Sequence, residues 1–178
     1  MSKNRKPYPK TSWVDARIEV RDSSIAGKGG FAREFIREGE IVAVIGGTVF
    51  TEEEFKEFAK TASQYDAIQI GEALHLVDLS PDSRANNGSF NHSCDSILWM
   101  QDENTLVARR DIQADEEVTV DYALFTALPG EIIETSCRCS SASCRQSITG
   151  EDWKLADVQK QYQGHFSPFI NTRITNII

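Results

Sequence analysis

The cysteines constrain this chain most. Three of them lie together in Cys137-Arg138-Cys139-(four residues)-Cys144, and the fourth and last, Cys94, sits far upstream in Asn91-His92-Ser93-Cys94. Four thiols are the right number for a closed tetrahedral zinc site, and such a site has no open position for water, so its role would be structural. Cys94 would then be the remote ligand, and the metal would tie a C-terminal flap to the loop that carries Asn91 and His92. Two disulfides, or three surface thiols and one core thiol, would use the same residues. Cys137 and Cys139 are too close in sequence to be a relaxed disulfide pair with each other.

The 178 residues suffice for one domain with a real core, and 40% hydrophobic and 26% charged residues are ordinary for a globular chain. No apolar run approaches the ~20 residues that span a bilayer, so no membrane association is expected. The first ten residues are polar, with Lys3, Arg5, Lys6 and Lys10, and do not read as a secretory leader. The expectation is an intracellular location, cytoplasmic before nuclear, where a tight cysteine cluster reads as a metal site before it reads as disulfides. The net charge of −8 and pI near 4.9 argue against direct nucleic-acid binding, which needs a basic face. They suit a basic partner such as a lysine-rich peptide, although an acidic surface also simply keeps proteins soluble. Oligomeric state is not legible.

Periodicity predicts many short strands: 16–20, 31–36, 41–45, 48–50, 65–70, 74–78, 96–101, 105–108 and 118–121. One helix starts at Thr51, where Thr51-Glu52-Glu53-Glu54 fits a capping box and Phe55, Phe58, Ala59 and Ala62 form an apolar stripe read as core. Residues 80–89 read as loop. A helix over 151–163 stopped by Gly164 is expected, then a last helix with Ser167 as cap, Pro168 at its first position, and Ile170, Ile174, Ile177 and Ile178 on one face. The fold class is mainly β with some α, a β-rich α+β domain. The expected organisation is a flexible arm (1–12), a main domain (13–124), a cysteine-rich segment (125–150) and a helical C-terminal extension (151–178).

Four blocks in order resemble the SET-domain protein lysine methyltransferases: Gly27-Lys28-Gly29-Gly30-Phe31-Ala32, Asn91-His92-Ser93-Cys94, Asp115-Glu116-Glu117-Val118-Thr119-Val120-Asp121-Tyr122, and the cysteine-rich segment Cys137 to Cys144, which is similar to the family's post-SET segment. The resemblance spans about residues 16–150 and implies a SET fold of several short-stranded sheets with a pseudoknot and a zinc-bound post-SET flap. It implies S-adenosylmethionine as methyl donor, a lysine-containing protein or peptide as substrate, and Tyr122 as the catalytic residue. Lys28 and Gly29 would meet the methyl donor through backbone groups, and Asn91 and His92 would bind its amino-acid and adenine parts. Tyr65 would stand at the methyl-donor or lysine site, and Val120, Tyr65 and Trp153 would line the lysine channel. Val120, small and without a hydroxyl where the family often has an aromatic residue, implies room for more than one methyl. Tyr122 could also be a tyrosine that merely ends a strand, and Tyr65 and Trp153 are equally well explained by packing. Trp99 reads as a packing residue, and His75 and His165 belong to no motif.

The chain departs from the family pattern at Gly88-Ser89 before the central block and at Ser96 and Ile97 after it. Ser140 and Gln146 stand where the post-SET segment usually has glycines. Two other readings use the same residues: a catalytically idle SET-like module that binds a peptide, and a small zinc scaffold with no methyl donor.

Overall fold

A computed structural model describes residues 7–62, 65–80 and 90–176. The departures at Gly88 and Ser89, the residues Ile177 and Ile178, and most of the 80–89 loop lie outside the described residues.

The chain opens with β1 (Trp13–Val14), β2 (Ile18–Asp22), β3 (Lys28–Ala32) and β4 (Ile41–Val44). The turn between β2 and β3 is closed by Ser23 N–H donating to the Gly27 carbonyl at 2.9 Å. β5 (Thr48–Thr51) leads into α1 (Glu52–Thr61), and β6 (Asp66–Gly71) and β7 (Leu74–Asp78) complete a three-stranded sheet of order β5-β7-β6. The capping box at Thr51 forms as expected: Glu54 N–H donates to Thr51 Oγ1 and Thr51 N–H to the Glu54 carboxylate. No residue of α1 is fully buried, which corrects its phenylalanines from core to half-buried. Phe58 stacks on Phe50 at 5.5 Å between ring centres, and Phe55 stacks on His75 at 4.1 Å. The helix therefore lies over the small sheet as a cover.

The main sheet adds β8 (Asn91–His92), β9 (Leu98–Met100), β10 (Thr105–Ala108) and β11 (Glu117–Val120), in the order β1-β4-β10-β9-β11-β3-β2 with β8 paired to β11. β11 is antiparallel to β3 in its first half. In its second half it takes two parallel partners, Thr119 opposite Asn91 and Val120 opposite His92 and Leu98. Between either partner and β11 the chain passes through β10, the kind of long connection that parallel pairs ordinarily need. The core gathers here: Leu98, Leu106, Ala108, Val118 and Val120 are buried together with Ile36, Val42, Leu76 and Ile112. Each such side chain contributes roughly 1.5–3 kcal/mol by leaving water.

Past Tyr122 the chain makes a 3-10 turn (Tyr122–Leu124), then a two-stranded ribbon, β12 (Ile132–Glu134) and β13 (Ile148–Thr149), that frames the cysteine loop. The expected helix over 151–163 is broken. A 3-10 turn (Asp152–Lys154) precedes α2 (Ala156–Gln161), because Leu155 between them is extended at φ −69° and ψ 128°. α3 (Pro168–Asn176) starts where Ser167-Pro168 predicted, and Ile170 on it is fully buried. The Ser167 hydroxyl, however, has no hydrogen-bond partner among the described residues. The proline's fixed φ, and not a side-chain cap, marks that start.

Candidate active site

The parallel pairing of β8 with β11 sets the site. It brings Asn91 and His92 beside the end of the strand that runs into Asp121 and Tyr122. Asn91 is buried, and its Nδ2 donates to the carbonyls of Ala26 and Lys28 at 3.1 Å each and to Glu117 Oε1 at 2.8 Å. Ser23 Oγ donates to the same carboxylate at 2.7 Å. Asn91 and Glu117 thus clamp the glycine strand from one side. A Cβ on Gly29 would collide with the Glu117 carboxylate and sit 3.0 Å from Asn91 Nδ2. A larger residue there would have to displace the Glu117 carboxylate from Asn91. Lys28 points its ammonium outward to Asp22 at 2.7 Å, so its side chain is exposed and its backbone forms the clamp.

His92 is buried between two partners. Tyr122 N–H donates to Nδ1 at 3.3 Å, and Nε2 lies 3.3 Å from Cys94 Sγ. Burial holds the imidazole below its ordinary range, with the Asp121 carboxylate 3.7 Å away opposing the shift. The ring is then neutral. With Nδ1 accepting, the proton resides on Nε2 and faces the sulfur. The Tyr122 ring is half-buried, 5.1 Å from the His92 ring and 6.0 Å from Phe125. Its hydroxyl lies 3.5 Å from the Phe90 carbonyl.

The thiols of Cys94, Cys137, Cys139 and Cys144 converge, all within 4.8 Å of one another. Tetrahedral zinc–sulfur bonds of ~2.3 Å place ligand sulfurs ~3.8 Å apart, so the donor set fits zinc in number, type and spacing. Burial pushes the Cys94 thiol well above its ordinary range and raises Cys137 to about 11. Burial also opposes ionisation of Cys139, but hydrogen bonds from Ser141 and the backbone outweigh it and bring the thiol down to about 6. A cation that replaces the protons would hold all of them as thiolates. Cys94 Sγ already accepts the Arg145 N–H at 3.3 Å.

Three residues in this region were given no role by the sequence. Glu117 anchors Asn91. The Arg145 guanidinium forms a fork on Asp121, with both contacts 2.7 Å, and reaches Asp152 through Nε at 2.7 Å. Tyr162, fully buried on the C-terminal extension, accepts the Ser96 N–H at 3.1 Å. The extension thus uses the departure from the family pattern at Ser96, whose backbone N–H makes this bond and would be missing in a proline. A tyrosine 66 residues downstream cannot be paired with Ser96 from spacing alone.

Tyr65 packs edge-on against Phe55 and Phe58 and lines an open cavity of about 290 Å³ with Phe55, Ala59, Lys60, Leu128 and Glu131. Val120 is buried in the core cluster, one residue before Asp121. Trp153 belongs to the same buried cluster as Val120. It is buried in the core, with the Arg173 guanidinium 5.6 Å over its ring and Arg173 paired to Glu72. Trp99 stacks on His165.

Comparison with known proteins agrees with this geometry. The chain is 31% identical over 133 residues to the histone-lysine N-methyltransferase ash1 of Drosophila melanogaster, covering 67% of this chain and 6% of that protein. It is 30% identical over 145 residues to the histone-lysine N-methyltransferase set1 of Dictyostelium discoideum, covering 74% of this chain and 9% of that protein. The chain therefore spans less than a tenth of the length of either relative. The methyltransferase domain of human histone-lysine N-methyltransferase SETMAR shares the fold at a TM-score of 0.51 and 22% identity, over 73% of this chain and 56% of that one. The SET-domain family model matches residues 27–123, more than half of the chain, from β3 through Tyr122, and the chain belongs to the SET-domain family.

Proposed function

We propose that this chain is a protein-lysine N-methyltransferase. The observation that carries the reading is the register of β8 on β11, which sets Asn91 and His92 beside the strand that leads through Asp121 into Tyr122. S-adenosylmethionine would supply a methyl group on a sulfonium. The glycine strand, Asn91 and His92 would hold the donor's polar parts, through the Lys28 and Gly29 backbone and the buried amide. The substrate amine, with a free pKa of ~10.4, must arrive deprotonated. A partly dry channel and a nearby positive charge both favour the neutral form. Tyr122 is a poor base, since a phenol ionises at ~10. Its work is positioning: a fixed oxygen beside the reacting nitrogen that orients the lone pair.

Tyr65 and Val120 are the residues we assign to the lysine channel, and the small Val120 leaves room for a second and third methyl. The four cysteines would hold one structural zinc. The negative net charge suits a basic protein segment. The relatives' names specify histone lysines; for this chain we propose only a lysine in a protein, encountered in a reducing, intracellular compartment. The test is transfer of a labelled methyl from S-adenosylmethionine into lysine-rich protein, with the modified residue identified by mass spectrometry. Binding of the methyl donor with no transfer into any lysine would overturn the assignment and leave a peptide-binding module.

A further inference from the structure

Two chains of contact lead from the thiol cluster to Tyr122, and both start at one atom, Cys94 Sγ. One runs through His92, with two 3.3 Å links to Cys94 Sγ and to the Tyr122 backbone. The other runs through Arg145. Its N–H holds the same sulfur at 3.3 Å, and its Nη1 and Nη2 grip the two oxygens of Asp121 at 2.7 Å each. Asp121 immediately precedes Tyr122 and also accepts the Ala123 N–H at 3.0 Å, so its carboxylate caps the turn on which Tyr122 sits.

The Arg145 arm is the stronger of the two. Asp121 is fully buried and the Arg145 side chain is 12% exposed. Water screens such a pair little, and a bidentate, charge-assisted fork fixes direction as well as distance. Asp152 holds the same guanidinium from behind, and is itself fixed by accepting the Thr149 N–H at 3.2 Å and hydroxyl at 2.7 Å. The guanidinium therefore cannot swing away from Asp121 without abandoning β13. Arg145 is also the residue directly after Cys144. Any shift of the thiols moves its backbone.

We infer that Arg145 is a positioning residue that couples the four-cysteine site to Tyr122: occupancy of the thiols by zinc fixes the Arg145 backbone, and its fork on Asp121 sets where the Tyr122 hydroxyl stands. The role goes beyond holding the flap, because the linkage ends on the residue adjoining the reacting centre. It rests on the reading of Tyr122 as catalytic, but its structural half can be measured without turnover.

The experiment places 3-fluorotyrosine at position 122 of the full chain and follows its fluorine resonance as zinc is removed with a chelator and restored. In the wild-type chain the resonance should move with zinc. In Arg145→Gln, and in the near-isosteric Asp121→Asn, zinc should still bind the four thiols, while the fluorine response shrinks to less than about half, the His92 arm carrying the remainder. In the same variants kcat should fall by about tenfold or more, with KM for S-adenosylmethionine changed by less than about twofold. If Arg145→Gln does not fold, Asp121→Asn carries the test. A wild-type resonance that ignores zinc, or a folded variant whose response matches the wild type, overturns the coupling. A normal fluorine result in a chain that transfers no methyl group would leave the coupling standing and remove the methyltransferase assignment instead.

Discussion

The main sheet and the cysteine ribbon are held by different forces. All four residues of β10 are buried, and β9 beside it and β11 beyond that are nearly so. Between Pro129 and Ser147 no residue is buried. The sheet can stand on apolar burial and its backbone ladder. The ribbon buries one large apolar side chain, Ile148, so we expect the rest of its order to come from the Arg145 ion pairs and from the zinc proposed for its thiols. Small elements that cannot build a core commonly rely on a metal in this way. Here the ribbon is also joined to the sheet through Cys94, so a weakly built element is fastened to a strongly built one beside Tyr122.

Removing zinc should break the comparison most sharply. Apparent binding energies of structural zinc are about 10–16 kcal/mol, and in the ribbon that energy is ordering energy. Hydrogen exchange should accelerate by orders of magnitude across residues 132–149 on chelation, and stay slow across 105–108. Surviving protection in the ribbon would show that the ion pairs alone suffice. Cys94→Ser and Cys139→Ser should weaken zinc retention alike, because one ligand comes from each region.

Core truncation should act on the sheet and spare the ribbon. Leu106→Ala should cost about 2–5 kcal/mol in denaturant unfolding. Ile132→Ala, at a side chain 65% exposed on the ribbon, should change stability by less than about 0.5 kcal/mol. Equal costs would mean that the ribbon packs more tightly in solution than its exposure indicates.

Tyr122→Phe separates chemistry from both regions' stability. It removes one oxygen from a half-buried ring, so unfolding should be unchanged while methyl transfer falls by about 10²-fold or more, equivalent to ~2.7 kcal/mol. Wild-type turnover in a folded variant would end the catalytic assignment.

The smallest effect lies in the ribbon's own backbone. Ser140 and Gln146 hold positive φ of 57° and 66° at positions where the family usually places glycine. Side chains there cost about 1 kcal/mol each. Gln146→Gly should therefore slow zinc release by a few-fold, read by competition with a chromogenic chelator, and leave Tm of the sheet unchanged. Faster release would mean that the Gln146 side chain makes a compensating contact.

Much of the molecule was legible before folding was considered, and what it had in common is local chemistry. The capping box at Thr51, the strands 41–44, 74–78 and 105–108, and the proline start of α3 follow from residues within a turn or two of one another. The cysteine count predicted one shared cluster, and the thiols do converge. The order of the four blocks carried the family. Local reasoning failed at two places: Leu155 turns extended and splits an expected helix, and the α1 phenylalanines cover the small sheet, stacked on Phe50 and His75, without entering the core.

The pairings that make the site came only with the tertiary structure. Asn91 opposite Thr119, Glu117 under Gly29, Tyr162 on Ser96 and Arg145 on Asp121 join residues 24 or more positions apart. Their residue types are common, and nothing in their spacing marks them as partners. Burial does. An aspartate at zero exposure needs a cation and an asparagine amide in the interior needs acceptors, and which residues answer is settled by which strands the fold lays side by side. Sequence determined which groups this chain offers to the proposed metal and the proposed substrate amine. The fold decided that they meet, because the energy of burying polar groups is satisfied only by neighbours that the chain's path supplies.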